Sequence, residues 1–585
     1  MVPAGTTDRA ELTGDPMSAP FADKIEMQHK LFAELSDLFG REVPMYDRSL
    51  LVNRACNNAV CRILERLHPG FAITDAQLDR DSAERHGAIR IGTPEEYRWI
   101  ARLFACFAME PHNFYDMSGI GAKSQPIIAT AFRSVINPEH RVFTSLLLID
   151  YFDAATSARI AETLKERQVF SPAAKALIEK SEQQGGLSWD DAEALIREST
   201  SRIFKWMGTA RDYQLYKDLC DSGFKIAADI ACFNSHHLNH LTPNTFCMDL
   251  FTAAMRFGMG EFDEATFREH ASRALGWIVA HAGRDYLRLH FKHLTRDEID
   301  TFGTGTISDA ELAAITDDLI GEILRDHVRM DRLKHSGFKD YTEGPDVDTP
   351  VLLRQDAYKA LTEPVTFTNR DGSVLETVHT ARFGEIEQRF YATTPKGRAL
   401  YDACLLEAEA HKAAHPDQIK NDFPGYQAAY AEAFKAFPKT LIELLEAGLV
   451  YGLYEPTPAG RAAAGTLETT DIFGLIRAGY VRYEGLRYED FLPFSAAGIF
   501  ASNLDQYGTE TTAPSRPTYT QSDLERIMGR KIVDATTVYA GRQAQSLLDT
   551  YEQLGLLERL EPSERSTLEA AAHASREVIE AGCAV

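Results

Sequence analysis

Several patterns are missing from this chain, and each absence removes a class of protein. No apolar run reaches the roughly 18 residues that a membrane-spanning helix needs; stretches such as Leu146 to Ile149 are short. No basic region followed by an apolar one stands at the N-terminus, so a secretory signal is not expected. The eight cysteines are scattered and none forms a CxxC pair, which favours free thiols of a reducing cytoplasm over a disulfide framework or a zinc knuckle. GxGxxG after a strand, GxxxxGK followed by Ser or Thr, HExxH and GxSxG are all absent, which disfavours a nucleotide-dependent kinase and an ordinary nicotinamide dehydrogenase. Basic residues are also short: 62 stand against 86 acidic ones, for a formal net charge of -24. Such a field opposes nonspecific binding to nucleic acid or anionic membranes. A local arginine pocket can still reverse it for a small anion.

What is present is an ordinary globular composition over 585 residues, 44% hydrophobic and 25% charged. That length exceeds one simple core and predicts two or more lobes. Residues 1–20 form a loose leader rich in Gly, Pro, Thr and Ser. Helical spacing begins with Ile25, His29, Phe32 and Leu35, and a second helix spans about 48–67. His86 to Ile91 predicts a strand with His86, Ala88 and Arg90 on one face, and Thr93 caps the helix that follows. Pro111 to Asp116 ends that helix. Residues 153–220 form a helical insertion with Ser188 as a cap, and Thr242 to Thr245 a turn. His281, His290 and His293 are expected on a helical surface, and 296–336 in a solvated helical hairpin. Val365 to Thr368 and Val378 to Tyr391 read as the two strands of a hairpin about Asp371-Gly372. Residues 21–505 then constitute a catalytic unit, with 506–585 as a peripheral helical extension.

The chemistry concentrates in His236-His237-Leu238-Asn239-His240-Leu241-Thr242-Pro243. Imidazole is the commonest neutral nitrogen ligand of a borderline metal, and either helical or strand spacing offers at most two of these three to one ion. The remaining ligands must come from elsewhere. In the second predicted strand, alternation puts Glu385, Glu387 and Arg389 on one face, which is either solvated or lines a site. Two histidines and one carboxylate with open positions is the arrangement of non-haem Fe(II) oxygenases; His86, one of the clustered histidines, and Glu385 or Glu387 could supply it. The same residues could hold structural zinc if a fourth ligand closed the site.

Four segments, His86-Gly87-Ala88-Ile89-Arg90, Asn239-His240-Leu241-Thr242-Pro243, Phe383-Gly384-Glu385-Ile386-Glu387-Gln388-Arg389 and Phe494-Ser495-Ala496-Ala497-Gly498-Ile499-Phe500, together resemble the 2-oxoadipate dioxygenase/decarboxylase family. The resemblance runs from about residue 25 to 505. It implies an α+β fold, in which a central β-sheet domain like that of the vicinal-oxygen-chelate proteins is surrounded by helices. It implies Fe(II) held by His86, His240 and a glutamate, with Glu385 favoured over Glu387. Arg90, Phe494 and Ser495 are then expected to bind substrate, with Arg90 and Ser495 in catalytic roles. Phe494 stands where a smaller aliphatic residue is expected. The implied reaction takes 2-oxoadipate and dioxygen to 2-hydroxyglutarate and carbon dioxide in lysine catabolism. Its partners are a small 2-oxo dicarboxylic acid and dioxygen, with neither nucleic acid nor membrane. A metal-dependent lyase or isomerase acting on a 2-oxo acid, and a noncatalytic protein with a structural metal, are the competing readings.

Overall fold

The computed structural model of the chain describes residues 21–118, 124–333, 344–357, 362–380, 384–492 and 518–583. Its strands are β1 (Glu84–Ile91), β2 (Glu110–Asp116), β3 (Ile127–Arg133), β4 (Arg141–Leu147), β5 (Thr209–Arg211), β6 (His240–Pro243), β7 (Leu353–Ala357), β8 (Thr362–Thr368), β9 (Val374–Thr380), β10 (Glu385–Arg389), β11 (Gly452–Pro456) and β12 (Val481–Gly485). The first four, with the helix Pro94–Ala105 between β1 and β2, form a β-α-β-β-β unit. Its helix is capped by Thr93, whose side chain accepts from the Glu96 amide while the Glu96 carboxylate accepts from the Thr93 amide, a reciprocal cap that satisfies two otherwise orphaned donors.

The central sheet has the order β2-β3-β4-β1-β6. β1 runs parallel to β4 and antiparallel to β6, and the Thr245 amide donates to the Glu387 carbonyl at 2.9 Å to carry the sheet into β10 and its partner β7. Strand alternation gives the sheet two different faces. Ile89 and Ile91, with Ile128, Phe132, Val142 and Leu146, pack against the helices Lys24–Glu42 and Pro94–Ala105. Ala88, Ala129, Ala131, Phe143 and Leu147 face the other way, towards the helix Lys225–Cys232. The arrangement is the central mixed sheet within helices that an α+β, vicinal-oxygen-chelate-like fold requires. Among the described residues no helix is long and apolar enough to cross a membrane.

Five local readings change. Thr242 and Pro243 do not turn but lie in β6, because their backbone pairs with Glu84 and His86 of β1. Pro111 to Asp116 is β2 rather than a simple helix end, with Glu110–Asp116 paired to β3. The run Val378 to Tyr391 is two strands: β9 pairs with β8, whereas β10 pairs with β7. β9 leaves Val374 and Val378 exposed while every residue of β10 is buried. Alternation alone cannot distinguish these partners. His290 is buried between Tyr286 and Phe246, not on a helical surface. The helix Asp309–Ile323 likewise buries Ile315, Leu319, Ile320 and Ile323 in a second helical core instead of standing in solvent.

The described part of 506–585 comprises helices Gln521–Met528, Ala535–Gln553 and Pro562–Cys583. They are tied inward: Val533 bridges to His112 of β2, and the Tyr539 hydroxyl donates to Asp490 at 2.7 Å.

Gly87 lies opposite Leu241 where β1 meets β6. A methyl group there would stand 3.0 Å from Leu241 Cδ2 and 3.2 Å from the His240 carbonyl. Gly87→Val is therefore expected to destabilise the fold by about 1–3 kcal/mol through overpacking. A thermal unfolding midpoint equal to that of the parent would contradict the tight β1–β6 approach.

Candidate metal centre

The register of the sheet assembles the centre. His86 lies opposite Thr242, and Ala88 opposite His240, so His86 and His240 are diagonal neighbours on one face. Their rings stand at 5.4 Å between centroids and are nearly perpendicular. β10 brings Glu385 to the same point: its Oε2 lies 3.5 Å from His86 Nε2 and 3.7 Å from His240 Nε2. All three side chains are buried, and their ligand atoms lie within 4.8 Å of one another. Metal–ligand bonds of roughly 2.0–2.2 Å allow two ligand atoms on one ion to be up to about 4.4 Å apart, so both measured separations fit a single ion. Two neutral imidazoles and one carboxylate leave coordination positions open for a reactant.

The supporting contacts separate the two glutamates. Thr242 Oγ1 donates to Glu385 Oε2 at 3.1 Å, and Gln355 Nε2 donates to the same oxygen. Glu387 points instead at the far edge of the first histidine, with Oε2 2.8 Å from His86 Nδ1. It also accepts from Arg389 Nε at 2.6 Å and from Arg141 Nη1 at 3.2 Å. Burial pushes the Glu387 carboxyl up, but Arg389, His86 and Arg141 outweigh it and hold the group well below the usual range. Phe491 lies edge-on to His86 at 4.9 Å and closes an apolar side of the site.

Arg90 follows on the same face of β1 and is 8% exposed, with Nη1 2.8 Å from Asp229 Oδ2. Asp229 stands on the helix Lys225–Cys232 and thereby fixes the guanidinium. His236 and His237 are not members of the three-residue group. His236 Nε2 lies 3.4 Å from Glu96 Oε2, and His237 packs edge-on to Trp206 at 4.7 Å. Phe494 and Ser495 lie outside the described residues. The reading of the sequence missed Gln355, Arg141 and Glu489. Glu489 stands just before the Phe494-to-Phe500 segment; Gln355 carries no motif, and only β7–β10 pairing reveals it.

Fold and centre together define an enzyme of vicinal-oxygen-chelate-like architecture built on a two-histidine, one-carboxylate metal site. The family model described as 2-oxoadipate dioxygenase/decarboxylase matches residues 31–259 and 319–503. A 2-oxoadipate dioxygenase/decarboxylase of Pseudomonas putida is 32% identical over 549 residues, covering 92% of this chain and 98% of the relative. That of Escherichia coli is 31% identical over 530 residues, covering 89% and 97%. The crystal structure of a hydroxyglutarate synthase from Pseudomonas putida in complex with 2-oxoadipate aligns with a TM-score of 0.63 at 31% identity, covering 92% of this chain and 99% of that one. The chain belongs to the 2-oxoadipate dioxygenase/decarboxylase family.

The charged groups behind the centre set its acid sensitivity. Burial pushes Glu489 up, but Lys292, Arg141, Arg487 and Arg389 pull it below its ordinary 4.5. Asp490 is likewise raised by burial but held below 3.8 by Arg133 and His112, helped by Tyr539. A carboxylate with a depressed folded pKa stabilises the fold fully above its unfolded value, and that contribution is lost as the pH falls towards the folded value. The thermal midpoint is therefore expected to fall as the pH is lowered from about 5 to about 3. Glu489→Gln should flatten this fall while costing roughly 3–5 kcal/mol near neutrality, because it leaves buried cations short of a partner. A midpoint unchanged over that acid range would contradict the ion pairs as drawn.

Proposed function

We propose that this protein is an Fe(II)-dependent dioxygenase/decarboxylase that converts 2-oxoadipate and dioxygen to 2-hydroxyglutarate and carbon dioxide in lysine catabolism. The observation that carries the reading is the convergence of His86, His240 and Glu385 at one buried point in a chain of this family. Six substrate carbons become five plus one, and both atoms of dioxygen end in products. His86, His240 and Glu385 would hold the iron. When bound, ferrous iron supplies open positions for a chelating 2-oxo acid and the reducing power to activate dioxygen.

The chain's own residues do the rest. The single carboxylate of Glu385 partly neutralises the ion, and Thr242 and Gln355 hold it in orientation. Ala88, Phe143 and Phe491 present apolar surface on the site face of the sheet and limit water there. Arg90 binds a substrate carboxylate with its planar fork, steadied by Asp229. Ser495 and Phe494 are assigned to substrate binding by the family resemblance of their segment. The cytoplasm is the proposed location, supported by eight free cysteines as suits a reducing compartment.

The direct test is oxygen uptake by anaerobically Fe(II)-loaded protein given 2-oxoadipate, with carbon dioxide and 2-hydroxyglutarate followed together. Consumption and release should be one to one. His240→Ala should lose more than the roughly 10–100-fold typical of residues that only support a ligand. Turnover of substrate without oxygen uptake would instead identify a lyase or isomerase.

Arg90→Ala should raise KM for 2-oxoadipate roughly 10- to 150-fold, the loss of a charged hydrogen bond of about 1.5–3 kcal/mol, while iron content stays at the parental level. An unchanged KM and kcat would remove Arg90 from substrate binding.

A further inference from the structure

We infer that Glu387 is the positioning residue for His86: it holds the Nδ1 edge of the ring so that Nε2 faces the point shared with His240 and Glu385. The inference rests on the metal site proposed above and assigns a second carboxylate of the same strand a separate task. Two residues apart on β10, Glu385 and Glu387 share a face, and by spacing alone either could bind a metal. Their contacts decide between them. Both oxygens of Glu387 are already engaged: Oε1 accepts from Arg389 Nε at 2.6 Å and Arg141 Nη1 at 3.2 Å, while Oε2 takes Arg389 Nη2 at 2.9 Å and faces His86 Nδ1 at 2.8 Å. The opposite ring nitrogen, Nε2, is the one 3.5 Å from Glu385 Oε2.

A neutral imidazole carries its proton on one nitrogen and a lone pair on the other. A carboxylate beside Nδ1 selects the Nδ1–H tautomer and leaves the Nε2 lone pair for an ion, while fixing the plane of the ring. Glu387 is itself held. Arg389 Nη1 donates to the carbonyls of Tyr488 and Asp490 at 3.1 and 2.6 Å, and Arg141 Nη2 donates to Glu489 at 2.6 Å. Glu489 in turn takes Lys292 at 2.7 Å. Rotation of the Glu387 carboxylate away from His86 would break bonds to two buried guanidinium groups. The Nδ1 edge of the ring therefore meets a fixed carboxylate.

The test uses the full chain stripped of metal and titrated with Co(II), with affinity read by chelator competition and coordination by the visible absorption spectrum. Glu387→Gln should bind Co(II) roughly 10–100-fold more weakly, with an altered spectrum and a parental far-ultraviolet dichroism spectrum. Should that variant fail to fold, the double variant Glu387→Gln with Arg141→Met, which preserves the net charge of the buried cluster, is read in the same way against the same expectation. A folded variant that binds within about twofold of the parent, with the parental spectrum, overturns the positioning role. His240→Ala is titrated alongside. If it binds Co(II) as tightly as the parent, the metal-site reading falls and the role of Glu387 falls with it. Binding that depends on His240 but not on Glu387 removes the positioning role alone.

Discussion

The register between β1 and its neighbours is the constraint on which the centre depends. One row across the sheet contains Arg133, Arg141, His86 and Thr242; the next contains Ala131, Phe143, Ala88 and His240. The first row carries charge and hydrogen-bonding groups, and the second carries apolar walls and the second histidine. A slip of one residue in β6 would turn His240 to the helix-packed face and bring Leu241 into the site. Gly87 allows the close approach that this register needs, since Leu241 and the His240 carbonyl lie where its side chain would be.

Charge distribution is the second constraint. The whole chain is strongly acidic, yet Arg133, Arg141 and Arg389 are buried behind the centre. Taking guanidinium groups out of water is costly unless each finds a partner. Glu387, Glu489 and Asp490 are those partners, and they come from β10 and the segment after β12. Burial and the neighbouring Arg389 bring Arg141 down to about 10. The local field beside the sheet is thus set by a few paired groups, not by the net charge.

The parts of the chain beyond the family match contribute to this interior. The match ends at 503, but Tyr539 on a later helix donates to Asp490, which also takes Arg133 at 3.0 Å. The same hydroxyl accepts from the Glu489 amide at 2.8 Å. The C-terminal helices therefore brace the two acidic residues that neutralise the arginine row. The helices Glu264–His281 and Arg284–His290 lie between the two matched segments and supply Phe267, Leu275 and Leu287 to the second helical core, against which Ile386 of β10 packs.

The strand His86 to Ile91, the Thr93 cap, the alternation of Glu385, Glu387 and Arg389, and the histidine cluster were all legible in the amino-acid order, because each follows from a period or a cap within a few residues. The order also limited the clustered histidines to two per ion, and His240 alone enters the three-residue group. It could not say that Thr242 is in a strand, that β9 and β10 belong to different sheets, or that Gln355 meets Glu385. Those facts depend on which strand lies beside which, and hydrogen bonds between distant segments leave no local period. Nor could it separate two glutamates on one strand face. That distinction came from the positions of His86, Arg141 and Arg389 around them, which only the tertiary structure brings together.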